Sequence, residues 1–376
     1  MTESVATGLA DEILAKTRSA MAERGLDALV ATSPENVAYA SGAAPPSQKT
    51  VRSRLAAAIV PLTGSCEVVA VALEGPVVRA QSRFDSIRLY QEFVEDPVDA
   101  FAASLRERGL EHGTIGIEET HLSAADHRKL CASLPKARLV RADEVFSELR
   151  TIKTPAEIEV IREIGAAAEW IALEVCRSFG PGATEREIAS FIGERYADAG
   201  GDGLTMLVVG SGPRSAAVNA PATDRVLEQG DILRLDIIGT KSHYYSDVAR
   251  TAVVGEPTEE QLRVYDLLFS VHRRCLEALR PGAPSSEVYR IYSEAMEEAG
   301  LPPYHFVGHG LGVTLHEEPF VNELTSVPLE EGMVLCIEPL TLIEGRFGMQ
   351  IEDEVLITAD GYAPFSEAGG LLRLEG

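Results

Sequence analysis

Two segments in the C-terminal half of this 376-residue chain place carboxylates inside apolar, strand-like runs. In the first segment the runs flank a short polar reversal, which we centre on Lys241-Ser242. Asp236 and Asp247 lie at equal distances from that centre. Directly opposed side chains of an antiparallel pair share one face of the sheet. The sequence therefore predicts a hairpin in which these two carboxylates are neighbours.

The second segment repeats this arrangement. Gly345 marks a reversal, and Glu338 and Glu352 lie at equal distances on either side of it. Opposed like charges destabilise a sheet unless something neutralises them. Either pair alone could be ordinary surface acids, since the chain holds 58 Asp and Glu residues. Two such pairs, each within an Ile, Leu and Val run, favour bound cations as the compensation.

Three of the eight histidines, His305, His309 and His316, lie in one glycine-rich segment. Glycine lets the backbone approach closely, as a crowded metal site requires. Four carboxylates and one imidazole favour Mn²⁺, Co²⁺, Zn²⁺ or Fe²⁺ over copper or iron–sulfur clusters. Water between two such ions becomes a nucleophile at neutral pH, so the sequence predicts a dinuclear-metal hydrolase. We interpret Cys336 as core packing and His243 as a turn or site-rim residue.

The length of the chain and a change of pattern predict two domains. Short apolar runs alternate with helical segments in the first part, which is typical of a compact α/β domain. Thr154, Pro155 and Glu157 then form a Thr-x-x-Glu capping box with proline at the first helical position. We expect an N-terminal domain at 1–148 and a catalytic domain at 149–376. No internal repeat stands out in the sequence.

Composition and charge exclude several classes of function. The formal net charge of −24 argues against nucleic acid and against an anionic membrane surface, which both attract clustered Lys and Arg. The five cysteines are scattered without a CxxC pair, which fits a reducing compartment. Acidic residues near the N-terminus do not fit a signal peptide, and the longest apolar stretch, 55–62, is too short to span a bilayer. We therefore expect a cytoplasmic protein.

With these motifs the chain resembles the pita-bread-fold metallopeptidases, in the branch of Xaa-Pro dipeptidase (prolidase), aminopeptidase P and creatinase. The resemblance covers nearly the whole chain, and the segment Leu-Arg-x-Ile-Lys-Thr-Pro-x-Glu joins its two domains. It implies a creatinase-like α/β N-terminal domain and a pita-bread α+β catalytic domain with pseudo-twofold symmetry. It also implies two divalent metal ions, Mn²⁺ before Co²⁺, Zn²⁺ or Fe²⁺, a homodimer, and a dipeptide or other small-molecule substrate.

The resemblance further implies a role for each residue of the motif set. The metal ligands would be Asp236, Asp247, His309, Glu338 and Glu352. Asp247 and Glu352 would bridge the two ions. Glu338 would also act as general base and relay a proton from the bridging water to the leaving nitrogen.

Four further residues would contact the substrate. His316 would hydrogen-bond the scissile carbonyl or the tetrahedral intermediate, and His305 would lie near the leaving group. Asn219 stands where prolidases usually carry a histidine, and Gln350 where peptidases commonly carry an arginine. Asparagine can donate a hydrogen bond but does not titrate near neutral pH. These two departures leave the ligand set intact and bear on specificity for proline.

Three functions therefore stay open. The first is an Xaa-Pro dipeptidase or aminopeptidase that attacks the amide bond before proline. The second is non-peptide chemistry on the same fold, as in ectoine hydrolase, creatinase-like C–N hydrolases or dimethylsulfoniopropionate lyase. The intact ligand set argues against a metal-free creatinase mechanism. The third is a non-catalytic binding module, whose members typically lack ligands and would purify without stoichiometric metal.

Overall fold

The computed structural model describes residues 3–374, with side chains from residue 11 onward. Between Arg150 and Thr151 the chain divides into two compact units. This division lies two residues beyond the expected boundary. No helix within the described range is long and apolar enough to cross a membrane.

The N-terminal unit is a mixed α/β structure. Its elements are α1 (Glu3–Glu23), β1 (Ala28–Ala31), α2 (Pro34–Ser41), a 3-10 helix (Pro46–Lys49), β2 (Ala57–Pro61), β3 (Glu67–Val71), a 3-10 helix (Ala72–Glu74), α3 (Gly75–Gln81), β4 (Ser86–Tyr90), α4 (Pro97–Glu107), β5 (Thr114–Ile117), α5 (Ala124–Ser133), β6 (Arg138–Arg141) and α6 (Asp143–Thr151). The strands form one sheet in the order β4-β3-β2-β1-β5-β6. Strand β2 is antiparallel to both neighbours, and the other adjacent pairs are parallel. The predicted α/β class of this part is confirmed.

The C-terminal unit contains two helix pairs and three sheets. Its elements are α7 (Pro155–Ser178), α8 (Glu185–Asp198), β7 (Gly203–Ser211), a 3-10 helix (Gly212–Ala216), β8 (Ile232–Lys241), β9 (Tyr244–Val254), α9 (Glu259–Glu277), α10 (Ser285–Glu298), β10 (Phe306–Gly310), β11 (Glu317–Asn322), β12 (Val334–Ile337), β13 (Leu340–Ile343), β14 (Phe347–Gln350), β15 (Asp353–Thr358), β16 (Gly361–Pro364) and β17 (Leu372–Leu374). The sheets have the orders β17-β9-β8-β7, β11-β10-β12-β15-β16 and β13-β14. The predicted capping box opens α7, with bonds in both directions between Thr154 and Glu157.

An internal repeat underlies this unit. A helix pair followed by antiparallel strands occurs twice, and a Pro-Gly-Ala tripeptide centred on Gly182 or Gly282 precedes the second helix of each pair. The Gly182 N–H donates to the Leu227 carbonyl at 2.9 Å, and the Gly282 N–H donates to the Leu329 carbonyl at 2.8 Å. Sequence inspection missed the repeat because few side chains besides this tripeptide are shared. The pseudo-twofold arrangement of a pita-bread fold is thereby present.

The first carboxylate hairpin has a different register from the predicted one. Its turn residues are Ser242 and His243, with φ values of 50° and 74°, as a type I′ turn requires. The turn centre is therefore one residue later than predicted, and Asp236 pairs with Ala249 instead of with Asp247. The predicted direct opposition is wrong. A shift of two positions nevertheless keeps both carboxylates on one face as diagonal neighbours.

The second hairpin has the predicted register. Strand β12 pairs with β15, and β13 pairs with β14, and both pairings are centred on the turn at Gly345. Glu338 and Glu352 occupy matching positions in the short break between these two pairings. The second pair of carboxylates is therefore placed as the spacing predicts.

Helices α7 and α8 cover the β17-β9-β8-β7 sheet, and Tyr196 is fully buried between α8 and the sheet. Its hydroxyl lies 2.9 Å from Ser246 Oγ. The Tyr196 ring lies directly on the backbone of Gly239, where a Cβ would be 2.3 Å from Tyr196 Cζ. Close approach of α8 to β8 therefore depends on glycine at this position.

We predict that Gly239→Ala lowers the free energy of unfolding by about 1–3 kcal/mol, because the methyl group must displace Tyr196. Gly193→Ala in α8 is the matched control, since nothing lies within 4 Å of a Cβ there. That variant should be stabilised by up to about 1 kcal/mol, since alanine is the better helix former. Urea denaturation measures both changes, and wild-type stability in Gly239→Ala would contradict the described packing.

Candidate metal centre

All five predicted ligand side chains converge in the C-terminal unit. They come from five different strands or the residues beside them: Asp236 on β8, Asp247 on β9, His309 on β10, Glu338 after β12 and Glu352 before β15. The four carboxylates line a cavity of about 340 Å³, and the His309 side chain lies fully buried behind them. The site therefore combines residues from both halves of the repeat.

His309 lies at the centre of the cluster. Its Nε2 is 3.4 Å from Glu338 Oε1, 3.6 Å from Asp247 Oδ2 and 3.9 Å from Glu352 Oε1. Its Nδ1 donates to the Gly310 carbonyl at 3.0 Å. Because that bond places the ring proton on Nδ1, the Nε2 lone pair faces the carboxylates, as in a metal-ligating histidine.

Each of the five side chains has a buried polar atom without a hydrogen-bond partner among the described residues. These atoms are Asp236 Oδ1, Asp247 Oδ1, His309 Nε2, Glu338 Oε1 and Glu352 Oε1. Burying a polar atom without a partner is costly, and burying a charge without one is more so. Carboxylate oxygens and an imidazole nitrogen suit divalent cations. The donor set therefore fits metal ions.

The carboxylates also show the electrostatic cost of this arrangement. Burial raises the pKa of Asp236 to about 6, and the charge of Glu338 adds to the effect. Burial, followed by the charges of their acidic neighbours, raises the pKa values of Asp247 and Glu352 well above the ordinary range. Like charges at this spacing cannot all ionise unless cations compensate them.

Sequence reasoning missed two buried neighbours of the cluster. Cys336 pairs with His309 across β12 and β10, and its Sγ lies within 4.8 Å of ligand atoms of the cluster. Glu354 Oε1 accepts a hydrogen bond from the Asp247 backbone N–H at 2.6 Å. Glu354 follows Glu352 by two residues, so the two-residue period of a strand could have indicated it. Cys336 precedes Glu338 by the same interval, so the same period could have indicated it, whereas its pairing with His309 depends on contact between distant strands.

His316 lies beside the cluster and lines the cavity. Its ring stacks on the His309 ring, with centroids 3.8 Å apart and planes 24° apart. His316 is exposed as a residue, but desolvation of its ring beside His309 lowers its pKa to about 4, so the ring is neutral at pH 7 and can donate one N–H. The next residue, Glu317, accepts from the Thr314 N–H at 3.0 Å and pairs with Lys153 Nζ at 3.2 Å, and both ionic side chains are almost fully buried. This ion pair holds the segment that carries His316.

The structure does not bring His305 to the cavity. Its side chain is 90% exposed, and its Nδ1 lies 2.7 Å from Glu323 Oε1. Tyr304 and Phe306, on either side of it, both line the cavity. Since side chains alternate along an extended chain, His305 points to the other side.

The two residues that depart from the peptidase pattern both line the cavity. Asn219 is exposed on a loop after β7, whereas Gln350 is buried at the end of β14. The Gln350 side-chain amide donates to Glu352 Oε2 at 3.3 Å. Gln350 is therefore in contact with the carboxylate cluster, and Asn219 lies at the mouth of the cavity.

The fold and the site together define a metal-dependent hydrolase with a pita-bread catalytic domain. The family model described as metallopeptidase family M24 matches residues 159–359. The model described as creatinase/prolidase N-terminal domain matches residues 13–152. The chain belongs to metallopeptidase family M24.

Similar proteins carry dipeptidase names. A probable dipeptidase, PepE, from Mycobacterium tuberculosis is 33% identical over 93% of this chain and 92% of its own length. An Xaa-Pro dipeptidase from Pyrococcus furiosus is 34% identical over 66% of this chain and 72% of its own length. Among solved structures, dipeptidase PepE from Mycobacterium ulcerans matches with a TM-score of 0.83 at 30% identity, covering 98% of both chains. The prolidase from Pyrococcus horikoshii matches with a TM-score of 0.82 at 27% identity, covering 96% of this chain and 99% of that one.

We predict that Mn²⁺ stabilises the chelator-treated protein more at about pH 7 than at about pH 5. Without metal, the folded carboxyl cluster holds protons that the unfolded chain releases. Stability from these groups is therefore present below about pH 4 and is lost as the pH rises through about 6, the pKa of Asp236. Metal ions bind the deprotonated ligands and remove this loss.

Thermal unfolding with Mn²⁺ or with chelator, across this pH range, measures the metal-dependent shift. Groups outside the cluster, such as buried His272, contribute equally to the stability of the Mn²⁺-loaded and the chelator-treated protein. Their contributions therefore cancel in the metal-dependent shift. Asp236→Asn is the control and should reduce the shift. A shift that is the same at both pH values would contradict the assignment of these carboxylates as ligands.

Proposed function

We propose that this protein is an Xaa-Pro dipeptidase that works with two divalent metal ions held by Asp236, Asp247, His309, Glu338 and Glu352. The observation that carries the proposal is the set of five buried donor atoms without hydrogen-bond partners beside a cavity. Similarity to a probable dipeptidase and to Xaa-Pro dipeptidases over most of the chain supports the substrate class. Four carboxylate charges balance two dications, which supports a dinuclear centre.

The position of each carboxylate bears on its proposed role. Asp247 and Glu352 both approach His309 Nε2, and they come from opposite halves of the repeat. Glu338 lies closer still to Nε2, so the proposal that Asp247 and Glu352 are the two shared ligands rests on the family resemblance. Asp236 lies on the same sheet face as Asp247 and would complete one end of the centre.

When bound, the metal ions would supply an activated water as nucleophile and a Lewis acid for the scissile carbonyl. Glu338 would accept the proton of that water and pass it to the leaving nitrogen. Its side chain is 10% exposed, compared with 1% for Glu352, so Glu338 is the more accessible of the two from the cavity. His316 would donate its N–H to the carbonyl oxygen as negative charge develops there.

Much of the remaining cavity wall is apolar, which suits a proline ring. Its volume of about 340 Å³ lies in the range of small-molecule sites. The apolar lining residues are Met206, Val218, Ile238, Tyr304, Phe306, Leu315 and Leu340.

A second candidate is hydrolysis of a small non-peptide amide at the same centre. It is favoured by the shortage of cationic groups for a dipeptide carboxylate. Among the described residues that line the cavity, Arg234 is the only one with a permanent positive charge. The nitrogens of Arg234 are already engaged by protein acceptors. Asn219 can offer the substrate a neutral hydrogen bond only.

We propose Mn²⁺ as the working ion, a homodimer as the assembly and the cytoplasm as the location. The hard oxygen-rich donor set supports Mn²⁺ but also accommodates Co²⁺, Zn²⁺ or Fe²⁺. All five cysteines are free, which supports a reducing compartment. The homodimer rests on the family resemblance alone.

We predict that the Mn²⁺-loaded protein releases proline from a panel of Xaa-Pro dipeptides and that Asp236→Asn abolishes the release. His309→Ala should do the same and should also lower the bound metal, because both residues supply donor atoms. Proline assay and elemental analysis measure the two effects. Wild-type protein that holds about two metals per chain but releases no proline would reject the dipeptidase and direct the search to cyclic and other small amides.

We predict that His316→Ala lowers kcat by about 10²–10⁴-fold while metal content stays at the wild-type level. The reason is that His316 faces the cavity and stacks on a ligand; its ring nitrogen also lies within 4.8 Å of ligand atoms of His309 and Glu338, so metal content separates a substrate contact from a ligand role. His305→Ala is the matched control, since that side chain lies outside the cavity, and it should keep activity within about threefold. Metal loss in His316→Ala would show that His316 supports the centre itself.

A further inference from the structure

Arg234 is the largest fully buried side chain of the described chain, with 1% of its surface exposed. It lies on β8, two residues before Asp236, and therefore on the same face of the sheet. A buried guanidinium needs acceptors for its N–H groups. All three of its nitrogens have acceptors. These acceptors form two groups, which belong to different parts of the cavity.

The first group holds a loop of the cavity wall. Arg234 Nε donates to the Ser215 carbonyl at 2.9 Å, and Nη2 donates to the carbonyls of Ala217 and Val218. The side chains of Val218 and Asn219 are exposed, yet both line the cavity. Arg234 therefore supplies three of the bonds that hold the backbone of this wall, and the Gly348 N–H supplies another by donating to Ser215 Oγ at 2.9 Å.

The second group reaches the carboxylate cluster. Arg234 Nη1 donates to Gln350 Oε1 at 2.7 Å. An amide oxygen can only accept and an amide nitrogen can only donate. This bond therefore fixes the orientation of the Gln350 amide and turns its nitrogen towards Glu352 Oε2, 3.3 Å away. Removal of Arg234 would let the amide rotate and place an acceptor against a carboxylate.

The guanidinium is suited to this double contact. It is planar, permanently charged and carries five N–H donors in a fixed fork, of which four are used here. A lysine ammonium is a single point on a flexible stem and cannot reach both groups at once. The distance between the loop and the cluster is thus set by the dimensions of the fork.

We propose that Arg234 is a positioning residue that couples the cavity wall at 215–219 to Gln350 and Glu352, and so determines how tightly the substrate is held. The proposal rests on the proposed function for the use of an Xaa-Pro dipeptide as probe. It does not require that Arg234 touch the substrate. Its effect is to keep the wall at a set distance from the reacting carbonyl, which is how remote contacts supply binding and orientation.

The test uses Arg234→Lys and Arg234→Met in the Mn²⁺-loaded enzyme. Both should raise KM for a cleaved Xaa-Pro dipeptide by about tenfold or more, since the wall contributes to binding, and any fall in kcat should match that of Gln350→Leu, which breaks the contact with the cluster alone. The backbone amide of Ala217, which donates to the Arg214 carbonyl at 3.0 Å, should exchange hydrogen at least about tenfold faster in both variants, as expected of a released loop. Gln350→Leu breaks only the second group of contacts and should leave that exchange slow.

Arg225→Lys is the matched control. Arg225 lies at the end of the same connection, but it bonds Ser211 Oγ and Asp231 and does not line the cavity. This control should keep the wild-type KM. Unchanged KM and unchanged loop exchange in Arg234→Lys would overturn the proposal, as would an equal rise of KM in Arg225→Lys.

Two further outcomes are also decisive. If Arg234→Met does not fold, Arg234→Lys, which keeps the buried charge, supplies both readouts. If the wild-type enzyme cleaves no Xaa-Pro dipeptide, the proposed function fails while the hydrogen exchange still decides the role of Arg234. Fast exchange in Arg234→Lys alone would then support the positioning role, and slow exchange would reject it.

Discussion

The repulsion among four buried carboxylates is the constraint on which the catalytic unit depends. Asp247, Glu338 and Glu352 lie around one imidazole nitrogen, Asp236 lies on the same sheet face as Asp247, and several of their oxygens have no partner among the described residues. Packing energy from the surrounding Ile, Leu and Val side chains must hold this arrangement together until cations compensate it. Stability and metal binding are therefore coupled in this protein.

The acid next to Glu352 in the chain, Asp353, is neutralised by Arg250 and does not join the metal centre. Asp353 follows Glu352 directly, yet its carboxylate accepts from Arg250 Nη2 at 2.7 Å. Arg250 Nη1 also donates to the Glu352 carbonyl at 2.6 Å, and Glu169 completes the network. One buried arginine thus neutralises the acid on the far face of the strand and fixes the backbone that presents the ligand. Alternation of side chains along the strand separates the two environments.

The metal centre and the cavity wall that contacts the substrate are built from different contacts. The wall can therefore differ while the metal ligands stay the same. The ligands come from strands of both repeat halves, so neither half alone forms the site. The wall instead depends on a loop, on Asn219 at its rim and on the bonds that Arg234 makes beneath it. Gln350 joins the two parts through its contact with Glu352. Changes at these positions alter what the cavity holds while the ligand set stays the same.

The sequence by itself determined what local spacing controls. The capping box at Thr154, the α/β pattern of the N-terminal unit and the register of the second hairpin follow from near neighbours in the chain. The turn of the first hairpin was misplaced by one residue, because Lys241-Ser242 and Ser242-His243 are equally polar and only backbone φ values distinguish them. Only the tertiary structure decided that Arg234 reaches Gln350, that Cys336 lies opposite His309 and that His305 points away from the cavity. These contacts join residues far apart in the chain, and which of them form depends on how whole strands and loops pack.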